Sequence, residues 1–136
     1  MPHITTSMFS DRVVTLILGA RDLPRRPVDY HILLISSILG VQPGKEYRES
    51  ELNDELQRWV LELGSNFGLD HVTLRRFLID ARYLFRDPAG TAYRLHTTNH
   101  RYSYDSEILS IDLPALIANA RNDRAKRKQR YLESRR

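Results

Sequence analysis

Cysteine is absent from this chain, which excludes disulfides and thiolate metal sites and fits a reducing cytoplasm. Long apolar runs are absent too. The stretch HILLISSILGV, His31 to Val41, falls far short of the roughly 18 residues a membrane span requires. The opening MPHITTSMFSDR has no basic segment followed by an apolar one, so no secretory signal is expected. Neither a Gly-rich phosphate loop nor a nucleophile elbow occurs, and no His/Asp/Ser spacing supports a triad. His96 and His100 lie four apart in a loop-like segment with no third ligand nearby. The acidic cluster Glu46, Glu49, Glu51, Asp54 and Glu55 reads as a solvated helix face. These absences predict a soluble cytoplasmic protein without metal or cofactor, and not an enzyme.

The 136 residues are 41% hydrophobic and 28% charged, enough for one domain with a modest core. The net charge of +4 is unevenly spread. From Arg121 to Arg136, eight basic residues stand against Asp123 and Glu133, a net +6. The other 120 residues carry 13 basic and 15 acidic side chains, a net −2. Within them, Val41 to Asp70 sums to −4 and His71 to Arg101 to +4. A field polarised in this way steers anions toward one face.

Periodicity sets out the elements. Arg12 to Leu18, RVVTLIL, is rich in β-branched residues and predicts a strand. Pro27 suits the first turn of a helix running from Val28 to Leu39, with Gly40 as its stop. Tyr47 fits a very short strand. Ser50 is the expected N-cap of a helix with Leu52, Leu56, Trp59, Val60 and Leu63 on one face. After the break Gly64 to Gly68, Asp70 caps a third helix whose Leu74, Phe77, Leu78 and Ala81 share a face. Its opposite arc carries Val72, Thr73, Arg76, Ile79 and Asp80, with Arg75 at the edge. Val72 and Ile79 are odd on such an arc and predict partial burial against the N-terminal strand or a second subunit.

A hairpin follows, Tyr83 to Arg86 and Thr91 to Leu95, closed by Asp87-Pro88-Ala89-Gly90 as a type I turn. His96 to residue 111 reads as loop. Asp112-Leu113-Pro114 opens a helix with Leu113, Leu116, Ile117 and Ala120 on one side, which runs into the basic tail as a frayed helix or a disordered one. The sum is mainly α with a small β-hairpin wing. It is a winged helix-turn-helix core over residues 23–95, preceded by an N-terminal extension (1–22) and followed by a loop (96–111) and a C-terminal helix with its tail (112–136).

The chain resembles a bacterial family classed only as a domain of unknown function, whose members occur alone or fused to helix-turn-helix regulators. The matching residues are Leu23-Pro24, Tyr47 with Glu49, Glu51-Leu52-Asn53, Trp59, Asp70, Leu74-Arg75-Arg76 with Leu78-Ile79-Asp80, Leu84 with Arg86-Asp87, and Gly90 with Tyr93. The resemblance covers roughly Arg12 to Leu95, and the basic tail lies outside it. The resemblance implies a winged-helix-like fold and an association with transcription control.

On this reading Thr73, Arg75 and Arg76 address the major groove, because arginine offers a planar fork to bases and phosphates. The alternative is that one of the arginines pairs with Asp80 or an acidic neighbour on the second helix. Arg86 and Arg94 flank the wing turn, where a phosphate backbone is reached. Arg124, Lys126, Arg127, Lys128 and Arg130 add sequence-independent affinity. The expected function is a DNA-binding transcription regulator acting on double-stranded DNA, as a homodimer, with Arg12–Leu18 or Leu113–Ala120 contributing to self-association. RNA is the other nucleic acid the tail's charge admits. The alternative function is a winged-helix protein-interaction module using the acidic second helix or the Val72/Ile79 arc.

Overall fold

The structure is a computed structural model and describes residues 3–96 and 102–135. The chain begins with a two-residue strand, β1 (His3–Ile4), and a helix, α1 (Thr6–Gly19). Here the predicted strand Arg12–Leu18 is overturned: the segment is helical. Its β-branched residues lose to a stronger pattern, in which Phe9, Val13, Leu16 and Ile17 fall on one side and are all buried. The Thr5 hydroxyl caps the helix by accepting from the Met8 N–H at 3.2 Å. Arg12 then grips the mostly buried Asp29 through two bonds, Nε to Oδ1 at 3.0 Å and Nη2 to Oδ2 at 2.8 Å.

Helix α2 (Pro27–Ser36) starts at the expected proline but stops before Leu39. The hydroxyls of Ser36 and Ser37 donate back to the carbonyls of Leu33 and Leu34, each at 2.6 Å. They satisfy acceptors that a further helical turn would have used. Next come β2 (Tyr47–Arg48) and α3 (Glu49–Glu62). The N-cap of α3 is Arg48, not Ser50, and the Glu51 carboxylate accepts from the Arg48 backbone N–H at 3.0 Å. That bond is the glutamate half of a capping box.

Helix α4 (His71–Asp80) is capped as expected, Asp70 accepting from the Thr73 N–H at 2.7 Å. Its end is less ordinary. Arg82 adopts φ +64, while the Tyr83 N–H reaches the Leu78 carbonyl and the Arg82 N–H that of Ile79. This is a Schellman motif with arginine in the left-handed position that glycine usually takes. It turns the chain directly into β3 (Leu84–Arg86), which pairs antiparallel with β4 (Ala92–Leu95). Strand β2 adds to the other edge of β4, giving the order β2-β4-β3.

Helix, short strand, two helices and a hairpin in this order, with the first strand paired to the last, is the winged-helix arrangement. Leu52, Leu56, Trp59, Leu74 and Leu78 share its core, as the helical spacing predicts.

The segment expected to be loop before the last helix is partly built. Strand β5 (Ser103–Tyr104) pairs parallel with β1, and a 3₁₀ turn follows at Ser106–Ser110. His3 bonds both Ser103 Oγ and Asp105 Oδ1 at 2.6 Å, and the other Asp105 oxygen accepts from the Thr6 N–H at 2.8 Å. A partner so distant in sequence leaves no trace in local periodicity. Residues 97–101, His100 among them, lie outside the described residues.

The last helix, α5 (Leu113–Ser134), is continuous for 22 residues. Leu113 and Ile117 are buried at its root, where α5 packs on α1. The two segments expected to offer surface for self-association are therefore in contact with each other. From Arg121 onward every described residue of α5 is exposed.

Candidate nucleic-acid interface

The sequence-predicted residues separate into three places. Arg75, Arg76 and Arg86 line one cleft of about 260 Å³ between α4 and the hairpin, together with Val72, Ile79, Asp80 and Tyr93. Arg75 is on its inner wall, with a side chain only 16% exposed. It donates to Asn53 Oδ1 at 2.5 Å and pairs with Glu49 Oε1 at 3.1 Å, both on α3. Its guanidinium also lies 5.6 Å from the centre of the Tyr93 ring on β4. Arg75 thus joins α3, α4 and the wing, and its charge is partly answered within the fold. The pairing with an acidic neighbour on α3, one of the two sequence readings of this arginine pair, falls on Arg75.

Arg76 is exposed and makes no hydrogen bond or ion pair among the described residues. On the helix it sits between Val72 and Asp80, one turn away from each. Val72 is 46% exposed, so nothing in the described structure covers it, whereas Ile79 packs against the core. Thr73 is half-buried in the first turn, where its N–H is held by Asp70. That hydrogen bond, with a further one from the Thr73 side chain, keeps the Asp70 carboxyl below its ordinary range.

The wing is built to hold Arg86 in the cleft. Register pairs Arg86 with Tyr93, which places both on the sheet face that meets α4. Gly90 has φ +73, and a Cβ there would collide with the Arg86 guanidinium, so the glycine both closes the turn and makes room for the arginine. Asp87 ties the turn down, accepting from the N–H groups of Thr91 at 2.7 Å and Ala92 at 3.1 Å. These bonds lower its pKa, that from Ala92 most.

Arg94 is elsewhere. It pairs across the strands with Phe85, on the opposite face of the ribbon, and its guanidinium lies 4.6 Å over that ring. Its neighbours there include Glu46 and Asp87. Alternation along a strand makes this separation readable in principle: if Tyr93 is core, Arg94 points away.

The tail residues Arg124, Lys126, Arg127, Lys128 and Arg130 stand on the outer part of α5, which extends about 21 Å beyond Ala120 at 1.5 Å per residue. At 100° per residue, Arg121, Arg124, Lys128 and Arg135 share an arc with the exposed Tyr131 and Leu132. Asp123 and Glu133 fall outside that arc. Lys126 and Arg130 share the opposite side with them, and Arg127 stands between the two.

A helical fold with a three-stranded wing and a cleft between helix and wing lined by three arginines defines a winged-helix domain. The chain belongs to DUF2087, an uncharacterised family conserved in bacteria, whose model matches residues 21–95. The match starts at the linker before α2, so both α1 and α5 lie outside it. No curated protein and no solved structure matches the chain. Among the described residues no helix is long and apolar enough to cross a membrane.

Proposed function

We propose that this protein binds double-stranded DNA, setting α4 and the wing against the duplex, and that it serves transcription control. The observation that carries the reading is the convergence of Arg75, Arg76 and Arg86 on one cleft between helix and wing. Arg76 and Arg86 are the exposed members, suited to base edges and backbone phosphates. Arg75, mostly occupied by Glu49 and Asn53, orients α4 relative to the wing. The outer half of α5 adds phosphate contacts that carry no sequence information. Arg94, on the far face of the ribbon, contributes to the general field rather than to the cleft. Binding, with no catalytic step, is the whole of the proposed activity.

The test is a titration of DNA with the full chain, with Arg76→Ala, and with a chain ending at Ala120, each at two salt concentrations. Arg76→Ala should weaken a preferred site by about 1–3 kcal/mol and random duplex far less. Shortening should weaken both and flatten the slope of log affinity against log salt by roughly 0.9 for each phosphate no longer neutralised. If the shortened chain does not bind at low salt and Arg76→Ala changes nothing, the cleft does not read DNA. A preference for single-stranded or double-stranded RNA in the same titration would move the reading to RNA.

One observation favours a second reading, a protein-interaction module. The outer face of α3 exposes Glu51, Asp54, Arg58 and Glu62 on the arc that also carries Leu61, which is 69% exposed, so that the arc is net acidic. A basic partner surface would fit it.

A further inference from the structure

Helix α4 shows solvent only three of its ten residues, Val72, Arg76 and Asp80. The other seven are buried or half-buried. The three stand at i, i+4 and i+8, which makes them a single ridge about 12 Å long at 1.5 Å per residue. All three line the cleft that Arg86 and Tyr93 close from the wing side. None has a hydrogen bond or ion pair among the described residues, and Arg76 and Asp80, one turn apart, do not pair with each other. Three unlike heads are therefore free to meet whatever α4 is set against: the methyl groups of a valine, a guanidinium and a carboxylate.

That combination is wrong for phosphate. Val72 has no donor to replace the water a phosphate would lose, and Asp80 repels it. It is right for base edges in a major groove, where each head has a match. Methyl groups pack on the C5-methyl of thymine, a guanidinium fork donates to O6 and N7 of guanine, and a carboxylate accepts from the N4 amine of cytosine. Adenine also presents an amine there, but beside N7, an acceptor that a carboxylate opposes. Val72 lies in the first turn of α4, the part of a recognition helix that reaches base edges. At about 3.4 Å per base pair, a ridge of about 12 Å faces roughly three or four consecutive pairs. The phosphates are left to Arg86, exposed on a strand of the wing.

We propose that Val72, Arg76 and Asp80 form the base-reading edge of this protein, selecting a thymine, a guanine and a cytosine in that order along one major groove. This edge rests on the reading of α4 as the DNA-facing helix, to which it adds the residues that choose the sequence. Val72 recognises a methyl group, Arg76 a pair of acceptors and Asp80 a single donor.

The experiment enriches bound sequences from a random double-stranded library with the full chain, then measures affinity for the enriched site and its single-base variants. The site should hold thymine, guanine and cytosine within about four base pairs. Exchanging that thymine for uracil deletes one methyl group and should weaken the native chain by about fourfold. Val72→Ala should bind the thymine and uracil sites alike, whereas Arg76→Ala, weaker at both, should still prefer thymine. Repeating the enrichment with Asp80→Asn should exchange cytosine for adenine at the third position, because an amide both accepts from the adenine amine and donates to N7. Four results overturn the edge and leave DNA binding standing: an enriched site without these bases, a native chain indifferent to uracil, a Val72→Ala chain that keeps the preference, or Asp80→Asn enriching the same base as the native chain. A full chain that retains duplex but enriches no sequence likewise overturns the edge alone. One that retains no duplex at low salt overturns the DNA reading itself, and the edge with it.

Discussion

The protein holds its positive charge in two places built on opposite plans. In the cleft, charge is set on ordered elements: Arg75 is fastened to Glu49 and Asn53, Arg86 lies over Gly90, and the exposed Arg76 stands on α4 between them. On outer α5, seven basic residues from Arg121 to Arg135 are all exposed, and among the described residues none of them but Arg135, 5.7 Å from the centre of the Tyr131 ring, has a hydrogen bond, ion pair or ring contact. Fixed charge can discriminate between positions on a ligand because its geometry is held. Exposed charge on a projecting helix raises attraction for any polyanion and discriminates little. The contrast also concerns stability, since a side chain can matter to folding only where it has neighbours.

The widest gap between the two regions should appear on truncating their aromatic residues. Trp59→Ala is expected to cost about 3–5 kcal/mol by chemical denaturation, because a buried indole leaves a cavity. Tyr131→Ala, at a position 59% exposed, should stay within about 0.5 kcal/mol. A large loss at Tyr131 would mean that outer α5 is packed in solution and would break the comparison.

Within the cleft, Arg75 and Arg76 should part company. Arg75→Ala should cost about 1–2 kcal/mol of stability, the half-exposed Glu49 keeping the figure modest. Arg76→Ala should cost under about 0.5 kcal/mol while carrying the larger effect on a preferred DNA site. Denaturation curves for both variants, set beside their DNA affinities, would reverse the assignment if the order came out inverted.

A gain of about 1 kcal/mol is expected for Arg82→Gly, because a glycine adopts φ +64 without the steric cost an arginine bears. The gain would be read as a higher denaturation midpoint. A loss instead would reveal that the Arg82 side chain has a stabilising role that outweighs its backbone strain.

The smallest expected effect is a pH dependence at the seam between β1 and β5. The Asp105 carboxyl is held below its ordinary 3.8, first by His3 and then by the Thr6 N–H. A depressed carboxyl adds stability that is present above the unfolded value and lost as pH falls through the folded one. The denaturation midpoints of the native chain and of Asp105→Asn should differ at about pH 5 and converge as the pH drops below about 3.8. A difference that persists unchanged to about pH 2 would show that the carboxylate's charge is not what matters there.

The parts of this architecture that could be read from the sequence are those that depend on near neighbours. The stripe Leu52, Leu56, Trp59 announced α3 and its buried face, Asp70 its capping role, and Pro88 with Gly90 the wing turn. The errors arose where a distant partner or a competing local bond decides. Arg12–Leu18 has strand-like composition, yet Phe9, upstream of the predicted segment, completes the helical face. Ser36 and Ser37 end α2 by bonding backward, which a hydrophobic pattern does not register. Strand β5 exists only because β1 lies beside it. For the candidate site, Arg75 and Arg76 were legible as a helix pair and Arg86 with Arg94 as wing arginines, whereas the parting of Arg86 into the cleft from Arg94 on the far face followed from register.

The continuity of α5 has a consequence for how its basic half keeps its shape. Starting a helix in water is unfavourable, and isolated helices shorter than roughly 12–15 residues barely form. In α5 that initiation is carried out elsewhere: Asp112 accepts from the Ala115 N–H at 3.1 Å, Pro114 sits in the first turn, and Leu113 and Ile117 are buried. The projecting segment only propagates a template already in place, each turn adding to the one before. The same stretch, Arg121 to Arg136, detached as a peptide would keep its charge and lose most of its helical order. A cut between Ile117 and Arg121 would therefore convert a rod with a set direction into a flexible strand of equal charge.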